Sequence, residues 1–167
     1  MGYRVRPART SDVPTIRGLI DANAPSGRLL AKPTVTLYED IQEFMVADRP
    51  EPGPIGGCGA LHVLWEDLAE IRTLAVSEEC RGDGVGSALV HALLERAREV
   101  GVARVFVLTF AVPFFASHGF TEISGAPVAP EVYAELLRSY DEGVAEFLDL
   151  DRVKPNTLGN TRMLLRL

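Results

Sequence analysis

The chain is poor in cysteine: two residues, Cys58 and Cys80, in a sequence of 167. They form no Cys-x-x-Cys pair and have no histidine pair beside them. That argues against a disulfide framework or a zinc site and makes a reducing cytoplasm the expected compartment. Cys58 lies in an apolar stretch and reads as a small core residue. Lysine is as scarce, with Lys32 and Lys154 alone. An excess of positive charge is also missing: 17 Lys and Arg against 23 Asp and Glu leave a formal charge of −6. A general nucleic-acid binder needs a basic face, so nucleic acid is not an expected partner. Any anionic ligand must be held by local cations and not by the overall field. No apolar run approaches the roughly 20 residues of a membrane span; the longest, 105–116, is broken by Thr109 and Pro113. No membrane partner is expected. The N-terminus has no apolar signal core, and Arg6 stands where a myristoylation signal wants Ser or Thr. With no repeat and no low-complexity tract, residues 1–167 are expected to form one domain, long enough to bury a core without a metal or disulfide staple.

What is present is a mixed order of elements. Residues 3–6 alternate as a first strand. Thr10 or Ser11 is placed to cap a helix running to Ala24, with Val13, Ile16, Leu19 and Ile20 as its apolar stripe. A loop over 25–33 carries Arg28 and Lys32, and a short helix follows over 36–42. Strands are expected at 44–47, 55–65 and 68–76, the last two as a hairpin turning at Glu66 and Asp67. Residues 85–100 make the strongest helical pattern, with Val85, Ala88, Leu89, Ala92, Leu93, Ala97 and Val100 on one stripe and Gly101 at its end. The apolar segment 102–109 reads as a buried strand of parallel type. Beyond it come a short helix at 114–118, a strand start at 119–123, a helix over 131–140, an ambiguous stretch at 146–150 and a terminal strand over 161–167. This order describes an α+β (mixed α/β) domain and not a doubly wound one.

The segment that carries chemistry runs from Ile71-Arg72-Thr73-Leu74-Ala75-Val76 into Arg81-Gly82-Asp83-Gly84-Val85-Gly86-Ser87. A strand enters a glycine-rich turn that opens a strong helix. Glycines let backbone N–H groups approach a ligand, and unpaired N–H groups at a helix start favour a phosphate. A Walker loop is excluded because no Gly-Lys-Ser/Thr is present. The dinucleotide fingerprint is excluded because Ser87 stands where its third glycine belongs. Arg81-x-x-Gly84-x-Gly86 remains.

That pattern resembles the pyrophosphate loop of the GNAT (Gcn5-related) N-acetyltransferases. The resemblance implies a single GNAT-type acyl-CoA N-acyltransferase fold, with a central mixed, mostly antiparallel sheet flanked by helices, and acetyl-CoA as co-substrate with no metal. It implies that Arg81, Gly82, Asp83, Gly84, Val85, Gly86 and Ser87 hold the diphosphate, while Leu74, Ala75 and Val76 offer backbone groups to the pantetheine arm and thioester. The Phe115-x-x-x-Gly119-Phe120 segment corresponds to the helix and strand that flank the coenzyme. Ala69-Glu70-Ile71 is similar to the Ala-Glu-Ile of histone-acetylating members, in which the glutamate is the general base. Glu70 is therefore the expected base; its alternatives are an exposed strand glutamate or an ion pair with Arg72, two residues on and on the same face. Family members often use a tyrosine in the short helix as acid for the thiolate, but 114–118 read Phe-Phe-Ala-Ser-His. Ser117 and His118 read better as a packed helix end, and water is left as the proton source. His62 and His91 read as ordinary strand and helix residues.

A closer resemblance is to the acetyltransferase part of bacterial N-acetylglutamate synthases, above all their short actinobacterial-type members. It rests on Arg6-x-Ala8-x-x-x-Asp12, Gly27-x-Leu29-Leu30-x-Lys32, Gly57-Cys58-Gly59-Ala60-Leu61, Val105-Phe106-Val107-Leu108-Thr109, Ser139-Tyr140-Asp141 and Lys154-Pro155-Asn156. It implies transfer of an acetyl group to L-glutamate, the first step of arginine biosynthesis. Two substrate carboxylates need cations. Lys32 and Arg162 fall in the regions that clamp them in longer synthases, with Arg28 and Arg72 as further candidates. Lys32 offers a point charge where the family usually has arginine. Thr109 is read either as a substrate ligand or as a strand cap. The longer enzymes add a kinase-like domain at which arginine inhibits; 167 residues leave no room for it, so that control is not expected. A homodimer is expected by analogy alone. The alternatives are another acceptor (L-glutamine, another amino acid or a protein N-terminus) and a non-catalytic acetyl-CoA sensor.

Overall fold

A computed structural model describes residues 2–23, 32–148 and 160–167. Its strands join a seven-stranded sheet in the order β1-β2-β3-β4-β5-β7-β6, and helices accompany them. The strands are β1 (Arg4–Pro7), β2 (Phe44–Asp48), β3 (Gly57–Trp65), β4 (Leu68–Val76), β5 (Arg104–Thr109), β6 (Thr121–Glu122) and β7 (Thr161–Arg166). The helices are α1 (Val13–Asn23), α2 (Thr34–Glu39), α3 (Val85–Val100), α4 (Val112–Ser117), α5 (Pro130–Leu136) and α6 (Glu142–Phe147). The pairs β1–β2, β2–β3, β5–β7 and β6–β7 are antiparallel, and β4–β5 is parallel. This is the mixed, mostly antiparallel sheet that the resemblance implies. The elements form two compact units, one from 1–62 and 71–100, the other from 63–70 and 101–167.

In the first unit β2 is central, with Val5 opposite Ala47 on one side and Cys58 opposite Val46 on the other. The α1 stripe Val13, Ile16, Leu19 and Ile20 buries against Leu37, Phe44, Val46, Cys58 and Ala60. These α1 positions recur at helical spacing, so one face of the helix supplies the core. The start of α1 differs from the capping expected of Thr10 or Ser11. A 3-10 turn over Thr10–Asp12 precedes the helix. Asp12 does the anchoring: its carboxylate accepts from the Arg9 N–H at 2.7 Å and from both Arg6 terminal nitrogens at 2.8 and 3.1 Å. The Arg6 Nε also meets Asp48, at 3.0 Å. A charge-assisted bond from a neighbouring strand thus replaces the hydroxyl cap.

In the second unit β5 is central. It pairs with β4 over three positions, Leu68↔Arg104, Ala69↔Val105 and Glu70↔Phe106, and with β7 over six, from Arg104↔Arg166 to Thr109↔Thr161. The core gathers Leu64, Leu68, Phe106, Leu136, Phe147 and Leu164. The stretch 146–150, ambiguous in sequence, carries the end of α6. Asp141 caps that helix by accepting from the Val144 N–H at 2.9 Å. Phe147 then sets its edge against Phe106, with ring centres 4.8 Å apart.

Candidate active site

The glycine-rich segment is a turn held at both ends. On its N-terminal side a 3-10 turn over Glu78–Cys80 follows β4, and the buried Cys80 carbonyl accepts from the Asp83 N–H at 3.3 Å. On its C-terminal side the Gly84 carbonyl accepts from the Ala88 N–H at 3.0 Å, the first bond of α3. Gly82 and Gly84 take φ values of +85° and +82°, left-handed conformations that L side chains rarely adopt. A Cβ at either would meet nothing within 4 Å, so the space above both is open. Arg81 and Asp83 are exposed beside them, while Val85 is buried and anchors the helix. The first-turn N–H groups of α3 have no helical carbonyl to reach and lie at the positive end of a 16-residue helix. Open backbone, a cation and a helix start fit a diphosphate.

β4 carries the next features. Its first residues, Leu68 to Glu70, pair with Arg104 to Phe106 of β5, and β4 runs on to Val76. Thr73 has φ +57°, the one non-glycine residue with positive φ among those described. For a buried β-branched residue that is a strained setting, and such strain persists only where surrounding structure enforces it. It also interrupts the two-residue alternation of side chains, which starts afresh at Leu74. Ala75 is buried and Leu74 and Val76 are half-buried. The Thr73 carbonyl accepts the Cys58 thiol at 3.5 Å. Burial pushes that thiol up to about 12, so Cys58 stays protonated and is a core residue and no nucleophile.

Glu70 is 3% exposed and faces Phe106 across the parallel pair. Phe106 is opposite Leu164 in β7, two residues from Arg162. Side chains two apart on a strand share a face. Glu70, Phe106 and Arg162 therefore share one face of the β4–β5–β7 segment, and the Arg162 guanidinium lies over the Phe106 ring, 5.6 Å from its centre. Arg162 is anchored by three carbonyls: Gly125 at 3.2 Å and Phe147 at 2.7 Å on Nη1, and Glu146 at 3.0 Å on Nη2. Two of them belong to the end of α6, where a cation is favoured. A guanidinium has five N–H donors, so Nε and one Nη2 hydrogen remain outside this set.

Arg72 is buried on β4. Lys32 precedes α2 and is half-buried; its carbonyl accepts from Arg17. Arg28 and its loop up to residue 31, like Lys154, Pro155 and Asn156, fall outside the described residues. Thr109 stands on the face of β5 opposite Phe106, and its hydroxyl accepts the Ala111 N–H at 2.8 Å, closing the turn after the strand. The Ser117 hydroxyl donates to the Phe114 carbonyl at 2.5 Å, and His118 sets its edge on Phe114. His62 pairs with Glu43 at 2.9 Å. The left-handed turn at Thr73 has no sequence signal, since threonine is an ordinary strand residue.

Sheet, loop and helix together define an acyl-CoA-dependent N-acyltransferase. The chain belongs to the acetyltransferase (GNAT) family, whose profile matches residues 21–121. It is 61% identical over 163 residues to the amino-acid acetyltransferase of Mycobacterium tuberculosis, covering 96% of this chain and 92% of that one. It superposes on the crystal structure of Rv2747 from M. tuberculosis, in complex with CoA and NLQ, with a TM-score of 0.95 over 98% of this chain and 99% of that chain. The N-acetylglutamate synthase of Neisseria gonorrhoeae, complexed with coenzyme A and N-acetyl-glutamate, matches at 25% identity and a TM-score of 0.78. It covers 100% of this chain, which corresponds to 35% of the larger protein. The chain is accordingly an N-acetyltransferase that uses acetyl-CoA.

Proposed function

We propose that the acceptor is the α-amine of L-glutamate and that Glu70 is the general base. The observation that carries this reading is the shared sheet face of Glu70 and Arg162: a buried carboxylate and an anchored guanidinium on the two strands that flank β5. A carboxylate there suits an amine that arrives as ammonium. The guanidinium suits a substrate carboxylate and sets the amine's distance from the base. Lys32 and the loop before it supply the second cation in this reading, with Arg28 as its partner.

Glu70 takes a proton from the bound ammonium, directly or through water. The amine lone pair then forms the C–N bond at the thioester carbon as the C–S bond breaks; the nitrogen's second proton passes through water to the CoA thiolate, and Glu70 releases the first to solvent. A thiolate leaves readily, so the lack of a tyrosine in 112–118 is no obstacle. The diphosphate is held by Arg81 and the N–H groups of 82–87. The backbone of β4 at 74–76 pairs with the pantetheine arm.

The test is CoA release from acetyl-CoA with each amino acid offered in turn. L-glutamate should give the highest kcat/KM. A clear preference for L-glutamine or for a non-acidic amine would overturn the assignment and leave the family intact.

A further inference from the structure

We infer that Tyr3 is a positioning residue for the coenzyme, latching the diphosphate loop from 80 residues away in the chain. The inference rests on the reading of 81–87 as that loop. Asp83 is the awkward member of the set: a carboxylate, exposed, between the two left-handed glycines of a turn that accepts an anion. Left loose, it would compete with the diphosphate for the same N–H groups and repel it. The Tyr3 hydroxyl donates to Asp83 Oδ2 at 3.0 Å. That ties the carboxylate to the start of β1.

The phenol is well placed for the task. Its ring packs with Ala47, Cys80, Val85 and Leu89, the cluster that seats both ends of the loop. A Cβ on Gly56 would lie 3.3 Å from the ring and 3.0 Å from the Cys80 sulfur. A side chain at 56 would therefore displace Tyr3, Cys80 or both. Hydrogen bonds to Cys80 and then Asp83 hold the phenol above its ordinary pKa, so it remains an O–H donor across the working range of such an enzyme. Fixed ring, donor hydroxyl and acceptor carboxylate make a latch that acts through Asp83 and touches no substrate.

The experiment compares Tyr3→Phe, Arg81→Ala and Asp83→Ala, and measures Kd for CoA with kcat/KM for acetyl-CoA and for S-acetylpantetheine, which has no diphosphate. Tyr3→Phe keeps the ring and should raise Kd for CoA about 3- to 10-fold, as loss of one bond to a charged acceptor would. It should lower the preference for acetyl-CoA over S-acetylpantetheine by a similar factor, with kcat and the acceptor KM steady. In the Asp83→Ala background the same change should have no effect. A role in packing alone would change kcat or acceptor KM, or would persist without Asp83; either result overturns the latch. If Arg81→Ala weakens CoA and Tyr3→Phe does not, the latch fails and the diphosphate reading stands. If neither weakens CoA, the loop reading itself fails. Should Tyr3→Phe fold poorly, the cycle is run with Tyr3→Trp and Asp83→Asn against the same two carriers, and a penalty indifferent to position 83 refutes the latch.

Discussion

The proposed coenzyme end and the proposed acceptor end of this enzyme are built on opposite principles. In that proposal the loop 81–87 and the start of α3 are one short run of sequence whose ligand groups, Arg81 apart, are backbone N–H, so their geometry follows from glycine positions and a helix start. The acceptor end draws its groups from β4, β5 and β7, with Glu70 and Arg162 separated by most of the C-terminal half of the chain. What brings them to one face is strand register, Glu70↔Phe106 and Leu108↔Arg162, and not spacing in sequence. A contiguous backbone site tolerates change wherever φ is kept. A dispersed side-chain site depends on each side chain separately.

The sharpest break in that contrast is at Glu70. Glu70→Gln keeps shape and removes the base, so kcat should fall about 100-fold or more, the usual contribution of general base catalysis. Raising the pH should recover part of the loss by delivering free amine. The Kd for CoA should not change, because the coenzyme end uses none of this side chain. A variant with wild-type kcat at neutral pH would remove Glu70 from the mechanism.

Arg162→Leu is next. Loss of a charge-assisted clamp predicts a 10- to 100-fold rise in the KM for L-glutamate, equivalent to about 1.5–3 kcal/mol. Because Arg162 also holds the carbonyls of Gly125, Glu146 and Phe147, the melting temperature should fall as well. A lower melting temperature with an unaltered KM would show that this arginine serves α6 alone.

How far the two ends could be read in sequence follows the same division. The strand–turn–helix of 68–100 was legible because β4, the glycines and the α3 stripe are local signals, and β4 and α3 have the expected limits. The family resemblance pointed to Glu70 and Arg162, but neither periodicity nor composition could say that they share a face. The end of α6 was unreadable for a physical reason: a six-residue helix has little intrinsic stability, and this one depends on the Asp141 cap, the Phe147–Phe106 contact and Arg162. The start of α1 was misread because its anchor is Arg6, on another element, and not a local hydroxyl. Thr73 was unreadable because the conformation contradicts the residue's own preference.

Gly84→Ala sharpens the comparison from the coenzyme side. The left-handed φ costs an alanine about 1–2 kcal/mol, and the turn would relax away from it. The Kd for CoA should rise about tenfold while kcat at saturating acetyl-CoA stays near its original value. A fall in kcat at saturation, with Kd unaltered, would show that the loop governs the chemistry and not the grip on the carrier.

The smallest effect on catalysis is expected where charge serves only the frame. The Asp12 carboxyl is held below its usual range, first by the hydrogen bonds from Arg6, against the opposing effect of burial, and further by the Arg9 N–H. A depressed carboxylate pKa means that the unfolded chain binds the proton more readily, so stability rises with pH across the interval between the two values. The contribution is complete above the unfolded carboxylate value of about 3.9. It disappears as pH falls through the lower, folded value. Asp12→Asn should therefore cost about 2–3 kcal/mol at neutral pH, by leaving Arg6 one partner short, and should flatten the acid limb of the stability curve. Acetyl transfer at 25 °C should be nearly unchanged, since neither the loop nor the Glu70 face uses this pair. Parallel urea titrations of wild type and Asp12→Asn between pH 7 and 3 decide it. A constant gap between the two curves down to pH 3 would mean that the Arg6–Asp12 contact contributes packing and no charge.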